Sequence, residues 1–260
     1  MILDTLADAA RVRVEASKKL RPLADIKRQA QAMEKGHFGF EKALSTPDIS
    51  FICEVKKASP SKGVIAEDFP YLDISLDYQA AGAAAISVLT EPGHFLGRDE
   101  YLSEISAHVE IPVLRKDFTV DVYQIYEAKL LGADAVLLIC ALLDTEMIMR
   151  CIEICDNLGI SALVEAHTDK EIRSALDAGA TVIGVNNRNL KTFDVDISLC
   201  ERLRGLVPDD KVFVAESGIK TSEDISRLRR SGVNAALIGE TLMRDPDKKQ
   251  ALARLRGDTQ

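Results

Sequence analysis

FICEVKKASPSKG, residues 51–63, runs from an apolar segment through two opposite charges into a polar loop. Residues two apart in a strand share a face. Phe51, Ile52 and Cys53 therefore read as core, while Glu54 and Lys56 point together into one cavity. A carboxylate and an amine buried side by side are unfavourable unless they pair or take part in chemistry. Ser59-Pro60-Ser61-Lys62-Gly63 then breaks the strand and supplies hydroxyls, backbone N–H groups and a lysine, a set suited to an anion. The segment predicts one wall of an active site. Taken alone it fits equally well a salt bridge at a strand end followed by an ordinary turn.

The same pattern recurs along the chain. Apolar strand candidates follow at 84–91, 112–118, 135–141, 161–167, 182–188, 212–218 and 235–241, which with 51–57 makes eight. Amphipathic helices are expected between them at Val120 to Leu131, Asp144 to Leu158, Asp169 to Ala178 and Ser222 to Ser231. Gly132, Gly159, Gly179 and Gly232 stand just past the helix ends, where a left-handed C-cap is needed. Eight alternations of strand and helix predict an α/β protein, a single (β/α)8 TIM barrel. A chain of 260 residues, 47% of them hydrophobic, suits one such domain, with the barrel at about 51–255. Before it, Leu3, Leu6, Ala10 and Val14, then Ile26, Ala30 and Met33, recur at helical spacing. Pro22 divides this N-terminal helical extension of about 1–45, Gly36 to Phe40 ends it with His37 as a turn residue, and it is expected to cover one mouth of the barrel.

Composition removes several classes of function. A net charge of −8 disfavours nucleic acid and anionic membranes as partners, although a locally positive pocket can still take a small anion. The N-terminus has no basic n-region and no apolar run approaches 18 residues, so a cytoplasmic location is expected. Five cysteines, an odd number set mostly in apolar runs, indicate a reducing compartment. Cys151 and Cys155 lie one helical turn apart without further ligands at metal spacing, and are read as packing residues.

Nearly every strand candidate starts apolar and ends polar: Glu54 and Lys56, Thr90 and Glu91, Lys116, Glu165, Asn186 and Arg188, Glu216 and Ser217. In a barrel these ends meet at one face, the face that carries catalysis. Lys116 is read as a general acid whose pKa burial can bring toward neutrality, with nearby carboxylates pushing the other way, and Glu165 as the base. Arg188 offers a planar fork for a carboxylate, or a partner for Glu216. Gly218 and Gly239, after the last two strands, stand where barrels bind phosphate, and Ser59 and Ser61 close that end.

Five blocks, Glu54 to Gly63, Leu114 to Phe118, Leu163 to His167, Ile183 to Leu190 and Val214 to Gly218, together resemble the indole-3-glycerol-phosphate synthase family, the ring-closing decarboxylases of tryptophan biosynthesis. The resemblance runs from about residue 3 to 255 and includes the helical leader. It implies a phosphorylated small-molecule substrate, anthranilate joined to a deoxyribulose 5-phosphate. In that reading Lys116 protonates the ribulose carbonyl, Glu165 serves the final dehydration, and Lys56 holds the substrate carboxylate. Glu54, Asn186, Arg188 and Glu216 orient these groups and the sugar hydroxyls. Ser59, Ser217, Gly218 and Gly239 bind substrate or phosphate, and Phe95, Phe118, Leu137 and Leu190 line the anthranilate pocket. The chemistry implied needs neither metal nor organic cofactor, and a monomer is expected, at most weakly associated with other enzymes of the pathway. Glu240, beside the phosphate glycine, would repel the ligand and is expected to turn away. A phosphoribosyl amine isomerase, a Schiff-base aldolase and a non-catalytic barrel subunit are the competing readings.

Overall fold

The computed structural model describes residues 2–189 and 192–258. In chain order the leader holds α1 (Ile2–Leu20), α2 (Leu23–Ala32) and α3 (Gly39–Leu44). There follow β1 (Ser50–Val55), β2 (Ala58–Ser59), β3 (Gly63–Val64), α4 (Tyr71–Ala80), β4 (Ala85–Leu89), α5 (Asp99–His108), β5 (Val113–Lys116) and α6 (Tyr123–Leu130). Next come β6 (Ala135–Ile139), α7 (Thr145–Leu158), β7 (Ser161–Ala166), α8 (Asp169–Asp177), β8 (Val182–Asn186) and α9 (Ser198–Arg204). The chain closes with β9 (Val212–Glu216), α10 (Ser222–Arg230), β10 (Ala235–Ile238), α11 (Glu240–Arg244) and α12 (Lys248–Arg256). Eight strands form a closed parallel barrel in the order β1-β10-β9-β8-β7-β6-β5-β4, with β1 pairing both β10 and β4. All eight strands expected from sequence are present. The unexpected β2 and β3 form a small antiparallel hairpin from the Ser59 to Gly63 loop.

Strand parity sets both the core and the site. Ile52, Leu114, Leu137, Leu163, Val182 and Val214 belong to the cluster that fills the barrel interior. Their neighbours Phe51, Cys53, Val113, Val136, Val164 and Phe213 join the layer beneath the surrounding helices. Continuing the inward parity by two residues from Ile52, Leu114, Leu163 and Val214 gives Glu54, Lys116, Glu165 and Glu216. The strands end one to three residues earlier than the apolar runs suggest: β7 stops at Ala166, β5 at Lys116, β8 at Asn186 and β10 at Ile238. The polar tails are loops.

The leader covers both mouths, which corrects the expectation of one. Phe40 and Leu44 of α3 are fully buried in the interior cluster beside Ile52, Ala85 and Leu114, closing the N-terminal mouth. At the other mouth Ile2, Leu3 and Leu6 of α1 border a cavity. The link between α2 and α3 runs against the end of α7, where the Gly36 and Phe38 N–H groups donate to the carbonyls of Leu158 and Gly159 at 3.0 and 3.1 Å. A Cβ on Gly36 would lie 2.3 Å from the Gly159 oxygen, and Gly159 itself has φ +69°, so both positions require glycine.

Candidate active site

The carboxyl ends of the strands surround a cavity of about 750 Å³. It is bordered by Glu54, Lys56, Ser59, Phe95, Lys116, Phe118, Leu137, Glu165, Asn186, Arg188, Glu216, Ser217, Gly218 and Gly239. Every candidate residue is therefore brought together except Leu190, which lies outside the described residues.

Its centre is a cluster of buried opposite charges. Lys116 Nζ stands 3.3 Å from Glu216 Oε2 and 3.7 Å from Glu165 Oε2, with all three side chains at most 14% exposed. Beside them the Lys56 ammonium pairs with Glu54. Burial disfavours the Lys116 ammonium, but Glu216, Glu165 and Glu54 outweigh it and hold its pKa above the ordinary lysine value. The expected fall toward neutrality is thus reversed, because the same enclosure that removes water also confines three carboxylates around one amine. Burial likewise pushes Glu54 up, yet Lys56 and Lys116 leave it below the usual carboxylate range. Glu216 is pushed up to about 7 by burial, with Glu165 and Glu54 adding to the rise against Lys116. Apart from the Lys116 ammonium beside Oε2, the buried Glu216 oxygens meet no hydrogen-bond donor among the described residues.

Two glycines make this crowding possible. A Cβ at Gly184 on β8 would lie 2.3 Å from Glu216 Oε1, and one at Gly239 would lie 2.2 Å from Glu54 Oε1 and 2.8 Å from Lys56 Nζ. Arg188 donates to the Phe193 carbonyl at 3.2 Å, and its own N–H to Asn186 Oδ1 at 3.0 Å; no bond joins it to Glu216.

The cavity has two unlike ends. One is apolar, with Leu3, Leu6, Phe95, Phe118, Leu137 and Ile139 on its walls, and the Phe95 and Phe118 ring centres 6.1 Å apart. The other holds Ser59, Lys62, Ser217, Gly218, Gly239 and Arg244. Ser217 and Gly218 both have positive φ, +66° and +82°, and turn the chain sharply at the mouth. Glu240 borders this end, with its carboxylate paired to Arg244 at 3.0 Å and to Lys62 at 3.6 Å. The two cations cancel the repulsion that its charge alone would bring to an anion.

Sequence reasoning missed the leader side chains on the cavity, because Leu3 and Leu6 fit an ordinary helical core stripe. It also passed over His167, whose Nε2 lies 3.7 Å from Glu165 Oε1 and whose Nδ1 lies 3.6 Å from Glu171 Oε2. The spacing of two from Glu165 was the available signal. Cys151 and Cys155 are buried in the layer under the helices.

Comparison with known proteins places these features in a family. A family model described as indole-3-glycerol phosphate synthase matches residues 3–255. The indole-3-glycerol phosphate synthase of Ruminiclostridium cellulolyticum is 59% identical over 258 residues, spanning 99% of both chains. That of Endomicrobium trichonymphae is 55% identical and covers 98% of this chain and 100% of its own. Among solved structures, a 3-hexulose-6-phosphate synthase superposes with a TM-score of 0.63 at 15% identity, covering 82% of this chain and 100% of that one. A tryptophan synthase α2β2 complex from Pyrococcus furiosus gives 0.60 at 16%, covering 81% and 98%. At such identities these structures share the barrel alone.

Proposed function

The chain belongs to the indole-3-glycerol phosphate synthase family, and from that premise we propose how its own side chains carry the family's reaction. The enzyme is a carboxy-lyase of tryptophan biosynthesis. It closes the ring of 1-(2-carboxyphenylamino)-1-deoxyribulose 5-phosphate, releasing carbon dioxide and water. The observation that carries the assignment of roles is the charge cluster of Lys116, Glu165, Glu216, Glu54 and Lys56 between an apolar end and a cationic, glycine-bearing end of one cavity. The substrate has the same polarity: an aryl ring at one end, a phosphate at the other, and the reacting carbons between them.

In this reading the phosphate lies against Ser59, Ser217, Gly218 and Gly239, with Lys62 and Arg244 nearby. The aryl ring lies against Phe95, Phe118 and Leu137, and Lys56 holds its carboxylate. The ring carbon bearing the carboxylate attacks the ribulose carbonyl, and Lys116 gives its proton to the oxygen as negative charge develops there. A lysine with a raised pKa can still act as this acid, because the alkoxide formed as the bond closes is a stronger base than the amine. Carbon dioxide then leaves with its bonding electrons returned to the ring system. In the dehydration that follows, Glu165 takes a proton from the carbon beside the ring nitrogen, and Lys56, freed of the departed carboxylate, gives one to the hydroxyl, which leaves as water. Glu216 accepts from a sugar hydroxyl and keeps Lys116 aimed; Glu54, Asn186 and Arg188 orient the remaining groups.

Glu165→Gln is expected to lower kcat by about 10²-fold, the usual worth of a positioned acid or base, with KM little changed. Unaltered turnover by that variant would remove Glu165 from the mechanism. The leader and barrel are further proposed to act as one domain in a cytoplasmic monomer. Among the described residues no helix is long and apolar enough to cross a membrane. Sedimentation at micromolar concentration giving a dimer mass would overturn the monomer.

A further inference from the structure

The two aromatic residues at the apolar end are each fixed through their own backbone by a buried carboxylate. The N–H of Phe95 donates to Glu91 Oε2 at 3.0 Å, that of His94 to the same oxygen at 2.7 Å, and that of Gly93 to Oε1 at 2.9 Å. The N–H of Phe118 donates to Asp117 Oδ1 at 2.7 Å, and the Thr90 hydroxyl donates to Oδ2 at 2.8 Å. Glu91 and Asp117 are 1% and 3% exposed, so neither is a surface charge that water could satisfy.

Two cations compensate Asp117: the buried Arg115 of β5, and one from the leader. Arg13 of α1 sets both terminal nitrogens on Asp117, at 2.8 and 3.0 Å. Burial works against the Arg13 guanidinium, but its bonds to Asp117, and the charge of Glu91 beyond, keep it firmly protonated. Residues Leu3 and Leu6, on the same helix, border the cavity that Phe95 and Phe118 also border.

We infer that Glu91, Asp117 and Arg13 are positioning residues for the aryl half of the substrate: the two carboxylates fix the backbones of Phe95 and Phe118, and Arg13 ties the leader helix to those same walls. The inference rests on the proposed seating of the aryl ring against Phe95 and Phe118. Physically, a slot for a flat ring binds well only when its walls are already spaced, since ordering them on binding would consume part of the interaction energy. A carboxylate that accepts several N–H groups in a dry site is rigid, and a two-pronged arginine adds direction as well as charge. A purely structural role would stabilise the barrel without distinguishing one end of the cavity from the other.

The test separates the two ends. Dissociation constants for anthranilate and for inorganic phosphate, each measured alone, are compared in wild type, Arg13→Met, Arg13→Lys, Glu91→Gln and Phe118→Ala, together with kcat and KM. Arg13→Met and Glu91→Gln should each weaken anthranilate about tenfold, the order expected for losing one charge-assisted bond. They should raise substrate KM by a similar factor and leave phosphate affinity within about twofold. Arg13→Lys should recover part of the anthranilate affinity, because it restores the charge without the fork. Equal weakening of both ligands, or anthranilate affinity unchanged in both Arg13→Met and Glu91→Gln, overturns the inference. Phe118→Ala distinguishes the reasons. If it weakens anthranilate where the other two do not, only the positioning role falls; if it too has no effect, the seating of the ring falls and the inference with it.

Discussion

Glu216 shows how far a single residue in this site departs from its free chemistry. Its carboxyl is pushed up to about 7 by burial and by the neighbouring carboxylates, while Lys116 opposes the shift. In the free enzyme it therefore takes up a proton as pH falls through neutrality. On the roles proposed above, the anionic form would aim Lys116 and accept a sugar hydroxyl, so kcat/KM should decline as pH drops below about 7. Lys116, with its pKa raised, adds no alkaline limb in the neutral range. Glu216→Gln should be less active and should lose the limb near neutrality; a limb that persists unchanged in that variant assigns it to another group. Gly184→Ala tests the crowding directly. Its new methyl would sit 2.3 Å from Glu216 Oε1 and 3.1 Å from Leu163 Cδ1, so activity is expected to fall at least tenfold in a protein that still folds. Wild-type turnover by Gly184→Ala would mean that the carboxylate can move aside without consequence. The positions of these charges were legible in the sequence, since the spacing of two between Ile52 and Glu54 fixes the face a side chain takes. The charge state of Lys116 was not, because it depends on carboxylates from β1, β7 and β9 that only closure of the barrel brings together.

The secondary elements were legible where they repeat and illegible where they occur once. Eight apolar runs alternating with amphipathic segments leave one economical topology, and that topology is observed. The leader has no such redundancy. Its third helix is only six residues long and follows Phe38 at φ +55°, so nothing periodic announces it. Yet α3 plugs the N-terminal mouth with Phe40 and Leu44, both fully buried. Phe40→Ala should accordingly lower stability by about 3–5 kcal/mol in denaturant unfolding, as truncation of a buried phenylalanine usually does. Because the plug lies at the opposite mouth from the cavity, KM should stay near the wild-type value under conditions where the variant is folded. A loss below about 1 kcal/mol would show that the barrel base closes without this side chain. The hairpin of β2 and β3 was likewise unannounced, since Pro60 and Gly63 read equally well as a turn.

At the scale of the whole molecule the chain is a barrel whose interior is apolar below and charged above, with the change of character placed at the strand ends. That division follows from one rule met on five strands, β1, β5, β7, β8 and β9: inward-facing residues are apolar early in the strand and ionisable or amide at its end, whereas β4, β6 and β10 bring Leu89, Ile139 and Leu237 to the cavity. The leader then completes the object by sealing one mouth and narrowing the other. Conversion of the carboxyphenylamino-deoxyribulose phosphate to indole-3-glycerol phosphate by this assembly is proposed to depend on Lys116 as the proton donor. The most direct test is steady-state formation of the indole chromophore by wild type beside Lys116→Met. Rapid conversion is expected from wild type, with a loss in kcat of about 10²-fold or more in the variant while anthranilate and phosphate still bind. Comparable kcat in the two proteins would contradict it.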